Sequence, residues 1–313
     1  MRVLILTNMY PLPDDQTFGS FVAEQERALR AIGMDVDVLF VNGRANRLNY
    51  FRGIPRYWKQ IRKGNYDVVH AHYVYSGWIA RMQRRLPVVV SFHGAGEMVG
   101  HEGWLCRRLA PLVDASILTS KEHKAQFGYE PGRVISCGVD TKVFKPMPKA
   151  EARAQLGWNA DSKIMMFVGA PRPEKRLDII QAAYDILKSR RDDVEFKHVN
   201  GVPQRNLPVY MNAADVLVLA SDREGAPGVI KEAMACNLPI VSVDVGDVIE
   251  VIGDTEGCFI CERDPQDLAA KVDMVFRAGK RTNGRDRISH LDSERIAERV
   301  VEVYKEVIGR KAR

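Results

Sequence analysis

Short apolar runs alternate with amphipathic stretches along the whole chain. In the first half the runs are "RVLILTN" (2–8), "DVDVLFV" (35–41), "DVVHAHY" (67–73), "LPVVVSF" (86–92) and "ASILTS" (115–120). They are rich in Val, Ile and Leu and mostly unbroken, the pattern of strands covered on both faces in a parallel sheet. Between the first two, "SFVAEQERALRAIG" sets Phe21, Ala28, Leu29 and Ile32 at helical spacing, with Gly33 suited to end the helix. The second half repeats the scheme with "KIMMFVGA" (163–170), "VEFKHVN" (194–200), "DVLVLAS" (215–221), "LPIVSV" (238–243) and "GCFI" (257–260). The architecture recurs without a strict sequence repeat.

This order of elements predicts an α/β chain of two doubly wound parallel-sheet domains. The segment "GVDTKVFKPMPKAEA" (138–152), with two prolines and little apolar pattern, reads as a linker, giving domains over 1–145 and 146–292. The last stretch, 293–313, has Ile296, Val300, Val301, Tyr304 and Ile308 on one stripe and needs a surface to cover; it is expected to pack back on the first domain. Length agrees, since 313 residues is two domains at roughly 150 each. In such folds ligands bind at the carboxyl ends of the strands, which tests every motif below.

Composition changes this picture little. Hydrophobic content of 46% and charge of 27% are those of a folded soluble chain. The apolar start is short for a signal peptide, and no run approaches the roughly 20 residues of a membrane span, so a cytoplasmic protein is expected. Five cysteines argue against a disulfide framework, and the Cys258/Cys261 pair reads as a buried strand end, with no second pair to complete a zinc site. The net charge of +6 is lopsided: residues 1–145 hold 20 Lys+Arg against 13 Asp+Glu, the remainder 26 against 27. A negative partner or surface is expected to meet the first half.

Chemistry concentrates in "REGAPGVIKEAMACNLPIV" (223–241). A buried strand, "DVLVLAS", runs into the loop "DREGAPG" and then a helix whose stripe is Val229, Ile230, Ala233 and Met234. Gly225 and Gly228 allow close backbone approach, Pro227 fixes the turn, and free N–H groups at a helix start suit a phosphate. Glu224 and Glu232 flank that turn and would accept hydrogen bonds from ribose and sugar hydroxyls. A plainer reading stands beside it: an acid complementing the helix dipole and a second, solvated one.

With Glu-x7-Glu followed by "EAMACNLPIV", the chain resembles the retaining nucleotide-sugar glycosyltransferases of family 4, which have the GT-B fold, two Rossmann-like domains facing a central cleft. "FVGAPRPEKRLDIIQAA", "NAADVLVLAS", "TNMYPLPDDQTFGSFVAEQERAL" and "VVVSFHG" extend the resemblance over nearly the whole chain. The wording "KEAMACNLPIVSVDVGDV" is most similar to the branch that includes teichuronic-acid biosynthesis glycosyltransferases. The resemblance implies that Glu224 contacts the donor sugar and Glu232 the ribose. It implies that Arg172 and Lys175 hold the diphosphate, and that Gly19 lies near the phosphates and His93 near the sugar. Gly225, Ala226, Pro227, Gly228 and Val229 would line the donor, and Gly201 and Val202 the base. The chain departs from the family in three places: Ala170 stands where an Arg is usual, Gly228 where a side chain is common, and the span from 195 to 216 is short.

Physically, Lys175 and Arg172 would neutralise a diphosphate leaving group, and charge stabilisation of that kind is usually the largest catalytic contribution; solvation in a polar turn is the alternative. His93 ends a strand and precedes Gly94, on the ligand edge, although a lone His there is more often structural. His70 and His72 share a face of their strand without a third metal ligand. Asp35 and Asp37 sit at a strand start and read as structural. No metal or other cofactor is expected, only the nucleotide-diphosphate sugar as co-substrate.

The segment "RANRLNYFRGIPRYWKQIRKG" (44–64) holds seven Lys/Arg and no acid. Leu48, Phe51, Ile54, Tyr57, Trp58 and Ile61 recur at helical spacing, with Pro55 expected to start or kink the helix. Such a segment fits an anionic membrane surface, at the inner face of the membrane, or else is a solvated helix with an ordinary core face. In the resembled family these regions meet a lipid-linked acceptor or an envelope glycan. Nucleic acid is not expected. A dinucleotide oxidoreductase fails, because "HGAGEMVG" lacks the GxGxxG spacing and its acid. A catalytically weak or inactive sugar-nucleotide-binding subunit, and a sugar-nucleotide epimerase of the same fold, remain as alternatives.

Overall fold

The computed structural model describes residues 1–94 and 100–311. The chain divides into two compact units, 1–138 with 293–313 and 139–292. The "HGAGEMVG" stretch falls largely on 95–99, outside the described residues.

The first unit is built on β1 (Arg2–Thr7), β2 (Asp35–Phe40), β3 (Val68–His72), β4 (Val88–Phe92), β5 (Ala115–Leu118) and β6 (Arg133–Val134). They form one parallel sheet in the order β2-β1-β3-β4-β5-β6. Val3 pairs with Val36 on one side and Val68 on the other. The unbroken apolar runs have the burial they predict: Val3, Leu4, Ile5 and Leu6 are all fully covered. Each such side chain contributes about 1.5–3 kcal/mol by leaving water. The Ser293–Lys311 helix belongs to this unit and packs on the Ser20–Ala31 helix, burying Ile296, Val300, Val301, Val303, Tyr304 and Val307.

The second unit holds β7 (Lys163–Val168), β8 (Val194–Val199), β9 (Val216–Leu219), β10 (Ile240–Val243) and β11 (Cys258–Cys261), in the parallel order β11-β10-β9-β7-β8. Within each unit the first strand lies between the second and the third. Each sheet therefore has a switch point beside its first strand, β1/β3 in one unit and β7/β9 in the other, where crossovers leave in opposite directions and open a crevice.

Some expectations are corrected. The segment 139–145 belongs with the second unit: the Val139 N–H donates to the Leu291 carbonyl at 3.0 Å, and Arg285 donates to the carbonyls of Thr141 and Phe144, each at 2.7 Å. The linker is also shorter than its composition suggests, because a Lys149–Leu156 helix begins inside it. Pro55 neither starts nor ends its helix, which runs from Leu48 through Lys63. Of the six apolar positions there, Tyr57 and Ile61 are core, while Leu48 and Phe51 stand in solvent at 57% and 71% exposure. All five cysteines are free thiols.

Candidate active site

At the β7/β9 switch point two strand-end loops converge. After β7 the chain passes through Gly169 and Ala170 into a short turn, Pro173–Lys175, and then the Leu177–Lys188 helix. After β9 it forms the loop that carries Glu224 and enters the Gly228–Ala235 helix. The Asp222 N–H donates to the Glu174 carbonyl at 2.8 Å, joining the loops backbone to backbone. Above that joint, Lys175 Nζ donates to Glu224 Oε1 at 2.6 Å, with both side chains largely covered. The cation and carboxylate expected at one ligand are thus side by side.

Glu232, one helical turn inside the next helix, is almost buried and accepts from Gln204 Nε2 at 3.0 Å. Gln204 follows β8, so loops after β8, β7 and β9 all contribute here. Gly201 lies on that β8 loop in a left-handed conformation (φ 70°), followed by Val202. Gly225 and Pro227 are buried and Ala226 half-buried; Val229 lies in the helix's first turn. A Cβ at Gly228 would meet nothing within 4 Å, so open space lies beside the first residue of this helix. Arg172 differs from the rest. It is exposed, its guanidinium 4.0 Å from Glu174.

Three participants escaped the sequence reading. Gln204 had no motif around it. Arg176 bonds Asp178 at 2.8 Å and Asp222 at 3.3 Å, and these carboxylates raise its already high pKa. Lys231 is fully buried and donates to both Asp247 oxygens at 2.6 and 2.7 Å, with the Pro227 carbonyl at 3.5 Å. It ties the Glu224 loop and helix to the loop after β10. The only sequence signal for it was a lysine beside the apolar stripe of a mostly buried helix.

In the first unit, Gly19 is the residue before the Ser20–Ala31 helix, at φ 69°. A Cβ there would lie 2.4 Å from the Met9 carbonyl carbon, so the loop after β1 closes only over a glycine. Two residues on, the Phe21 ring packs 4.7 Å from the His93 ring, and Tyr73 lies 5.2 Å from the same ring. Tyr73 has φ 68°, strained for a bulky residue, at the carboxyl end of β3. His93 Nε2 is 2.7 Å from His72 Nδ1. Burial drives His93 down to about 3 and His123 to about 4, so both are neutral at ordinary pH. His70 is held between Tyr304 and Ser91, at 2.6 and 2.8 Å. Among the described residues no three His, Cys, Asp or Glu side chains are placed to share a metal ion. Asp37 accepts from Arg2 at 2.9 Å and Tyr66 at 2.7 Å at the opposite edge of the sheet.

Comparison with known proteins places this geometry. Among solved structures, sucrose-phosphate synthase from Thermosynechococcus elongatus superposes with a TM-score of 0.80 at 22% identity, covering 99% of this chain and 100% of that one. Anabaena Alr3699/HepE, crystallised with UDP, superposes at 0.73 and 18% identity over 98% and 100%. The two parallel-sheet units thus have the GT-B glycosyltransferase fold. Residues 3–143 match the family described as Glycosyltransferase Family 4, and residues 165–277 match Glycosyl transferases group 1. The chain thus carries glycosyltransferase domains of both descriptions and is a glycosyltransferase. A curated relative, D-inositol 3-phosphate glycosyltransferase 2 of Catenulispora acidiphila, is 27% identical over 285 residues, covering 73% of this chain and 67% of that protein. That relative is an inositol-phosphate enzyme, so the likeness to the teichuronic-acid branch is carried no further.

Proposed function

We propose that this chain moves a sugar from a nucleotide-diphosphate sugar to a hydroxyl acceptor with retention of anomeric configuration. The observation that carries this is the 2.6 Å Lys175–Glu224 pair, set beside the Gly228–Ala235 helix, whose first residue borders open space. An anion site next to carboxylates suits a ligand that is phosphate at one end and hydroxyls at the other. In this reading Lys175 and Arg172 neutralise the departing diphosphate, and the N–H groups at Gly228 and Val229 meet a phosphate. Glu224 accepts from the donor sugar, Glu232 from the ribose, and Gly201–Val202 lie against the base. Gly19 and His93 are the first-unit residues that the family resemblance assigns to the phosphate and the sugar. The UDP bound by Alr3699/HepE supports a nucleotide donor. The acceptor attacks from the face the diphosphate leaves, and a phosphate oxygen takes its proton. The side chains supply the positive charge, so chelator is expected to leave turnover unchanged.

The acceptor we propose is a lipid-linked or cell-envelope glycan. A groove of about 920 Å³ in the first unit lies at the carboxyl ends of β1, β2 and β3, lined by Arg44, Arg47, Tyr50, Phe51, Tyr75 and Trp78 among others. Exposed Phe51 and Leu48 beside five outward Lys/Arg of the Leu48–Lys63 helix suit an anionic bilayer at its rim. No described helix is long and apolar enough to cross a membrane. The deciding experiment is a thermal-shift panel of UDP-, GDP- and ADP-sugars. One diphosphate family is expected to stabilise the protein and to lose its effect in Lys175→Ala; silence from all three sinks the reading. Vesicles of anionic lipid are expected to bind the protein, and Phe51→Ser to weaken that binding about fivefold, from roughly 1 kcal/mol of lost burial.

A further inference from the structure

Arg263, which no motif marks, stands two residues beyond β11 at the outer edge of the second unit's sheet. Its base is fixed on both sides. The Glu262 N–H donates to Asp267 Oδ2 at 2.8 Å, and Asp264 caps the Pro265–Ala278 helix by accepting from the Asp267 N–H at 2.9 Å. From there the side chain reaches past the end of β10, which lies between β11 and β9. Its Nη2 donates to the Ser221 carbonyl at 3.2 Å and to the Asp222 carbonyl at 3.4 Å. Its Nε stands 3.8 Å from Asp222 Oδ1, the same oxygen that accepts from Arg176 at 3.3 Å.

Those two carbonyls belong to the turn that leaves β9, and Glu224 follows two residues on. Loops after β7, β9 and β11 therefore meet at Asp222, whose N–H donates to the Glu174 carbonyl at 2.8 Å. The serine of the turn does not tie it down: Ser221 is fully buried, yet its hydroxyl has no hydrogen-bond partner among the described residues. The Asp222 side chain is 42% exposed, where an ion pair contributes little, so what Arg263 supplies is direction more than charge. One guanidinium nitrogen carries two N–H groups in a fixed plane, enough for two neighbouring carbonyls, with Nε left for the carboxylate. A drift of this turn would carry Glu224 off Lys175 Nζ, 2.6 Å away, and misplacement by about 1 Å can cost an oriented reaction about a hundredfold.

We propose that Arg263 is a positioning residue of the transfer: by holding the Ser221 and Asp222 carbonyls it sets Glu224 against the donor sugar. The inference rests on the reading of Glu224 as the sugar contact. Arg263 is then a strut that reaches the reaction only through the loop.

The test uses the whole protein and Arg263→Met, which keeps the apolar stem and removes every N–H donor. Amide exchange read by mass spectrometry is expected to speed up at least about fivefold in peptides spanning 221–225, with the rest of the second unit unchanged. In UDP release from UDP-glucose, kcat should fall about tenfold with KM within about threefold. In a Glu224→Gln background the same substitution should cost less than about twofold, because Glu224 is what Arg263 serves. Unaltered exchange at 221–225 overturns the proposal, and so does faster exchange throughout the second unit, which would make Arg263 a residue of the fold alone. An equal loss in both backgrounds overturns it as well, since Arg263 would then act on the donor without Glu224. Full turnover in Glu224→Gln alone would remove Glu224 from the reaction and the proposal with it, an outcome distinct from an unaltered turn. No UDP release by the wild type would count against the transferase reading with this donor, and the exchange data would then decide whether Arg263 holds the turn.

Discussion

At the switch point of the second unit the strand ends are dressed with full charges, Lys175 against Glu224, Arg176 against Asp222 and, beneath them, Lys231 against Asp247. At the switch point of the first unit the sheet order is the same, yet the strand ends carry neutral imidazoles and aromatic rings: His72, His93, Tyr73 and Phe21. Topology alone puts a crevice in both places. What each can hold is decided by side chains, and the two sets suit different chemical groups. A diphosphate needs fixed positive charge, whereas a sugar hydroxyl is best met by donors that do not ionise.

The largest expected effect separates the units by acid. His70 and His93 are held at about 3 and His123 at about 4, His72 is pushed well below its ordinary value, and all four lie in the first unit. Their folded pKa values are depressed, so their contribution is fully present above the unfolded value near 6.5 and is lost as pH falls toward 3–4. Over that window the slope is about 1.4 kcal/mol per pH unit for each histidine. His198 and His290 of the second unit are exposed. Urea midpoints followed by fluorescence of Trp158→Phe, which keeps Trp58, Trp78 and Trp104 of the first unit, are expected to fall steeply between pH 7 and 5. A flat profile would break the contrast.

Next comes the buried pair of the second unit. Lys231→Met leaves Asp247 covered and unpaired, which should cost about 3–5 kcal/mol. The double variant Lys231→Met/Asp247→Leu is expected to recover most of that loss, because two apolar groups replace two charges together. Equal instability of single and double variants in urea denaturation would mean that packing, not charge, is what Lys231 supplies.

These two predictions also mark what the sequence left hidden. Strands were legible because burial on both faces writes itself as unbroken Val, Ile and Leu; β6, two residues long, has no such run. Glu224 and Lys175 were singled out through the family resemblance, local physics leaving both open, and the structure brings the two side chains together. Lys231 was not, since a lysine beside an apolar stripe usually reaches water, and only Asp247, sixteen residues on, makes burial tolerable. The His72–His93 bond joins adjacent strands through a register that appears only when β3 and β4 pair. Arg172 took the role of the Arg usual at position 170 by its nearness to the strand end, but the turn leaves Arg172 in solvent, and Arg176, which no motif pointed to, is the one that reaches Asp222.

Smaller in energy but sharper for function are Glu224→Gln and Lys175→Ala. Each is expected to lower turnover by about 10²–10³-fold, roughly 2.7–4 kcal/mol of transition-state stabilisation, while leaving the melting temperature close to wild type. Because the two groups share one hydrogen bond, their double variant should lose much less than the product of the single losses. Multiplied losses in steady-state kinetics would show that the pair does not act as a unit.

The smallest effect compares two glycines assigned to phosphate, one per unit. Gly19 sits at φ 69°, and a methyl group there would collide with the Met9 carbonyl carbon at 2.4 Å. Gly19→Ala is therefore expected to destabilise the first unit by about 1–2 kcal/mol from the backbone conformation alone, with the collision adding to it. Gly228 begins a helix, has an ordinary φ and faces empty space. Gly228→Ala is expected to be neutral or to stabilise by up to about 1 kcal/mol, since alanine restricts the unfolded chain. Its cost should fall on the ligand instead, as a few-fold weaker thermal shift by the nucleotide sugar that protects the wild type. The fold would then require the first glycine and the ligand the second. Unchanged protection in Gly228→Ala would remove the helix N-terminus from the donor site and leave Lys175 and Glu224 to hold the phosphate and the sugar without it.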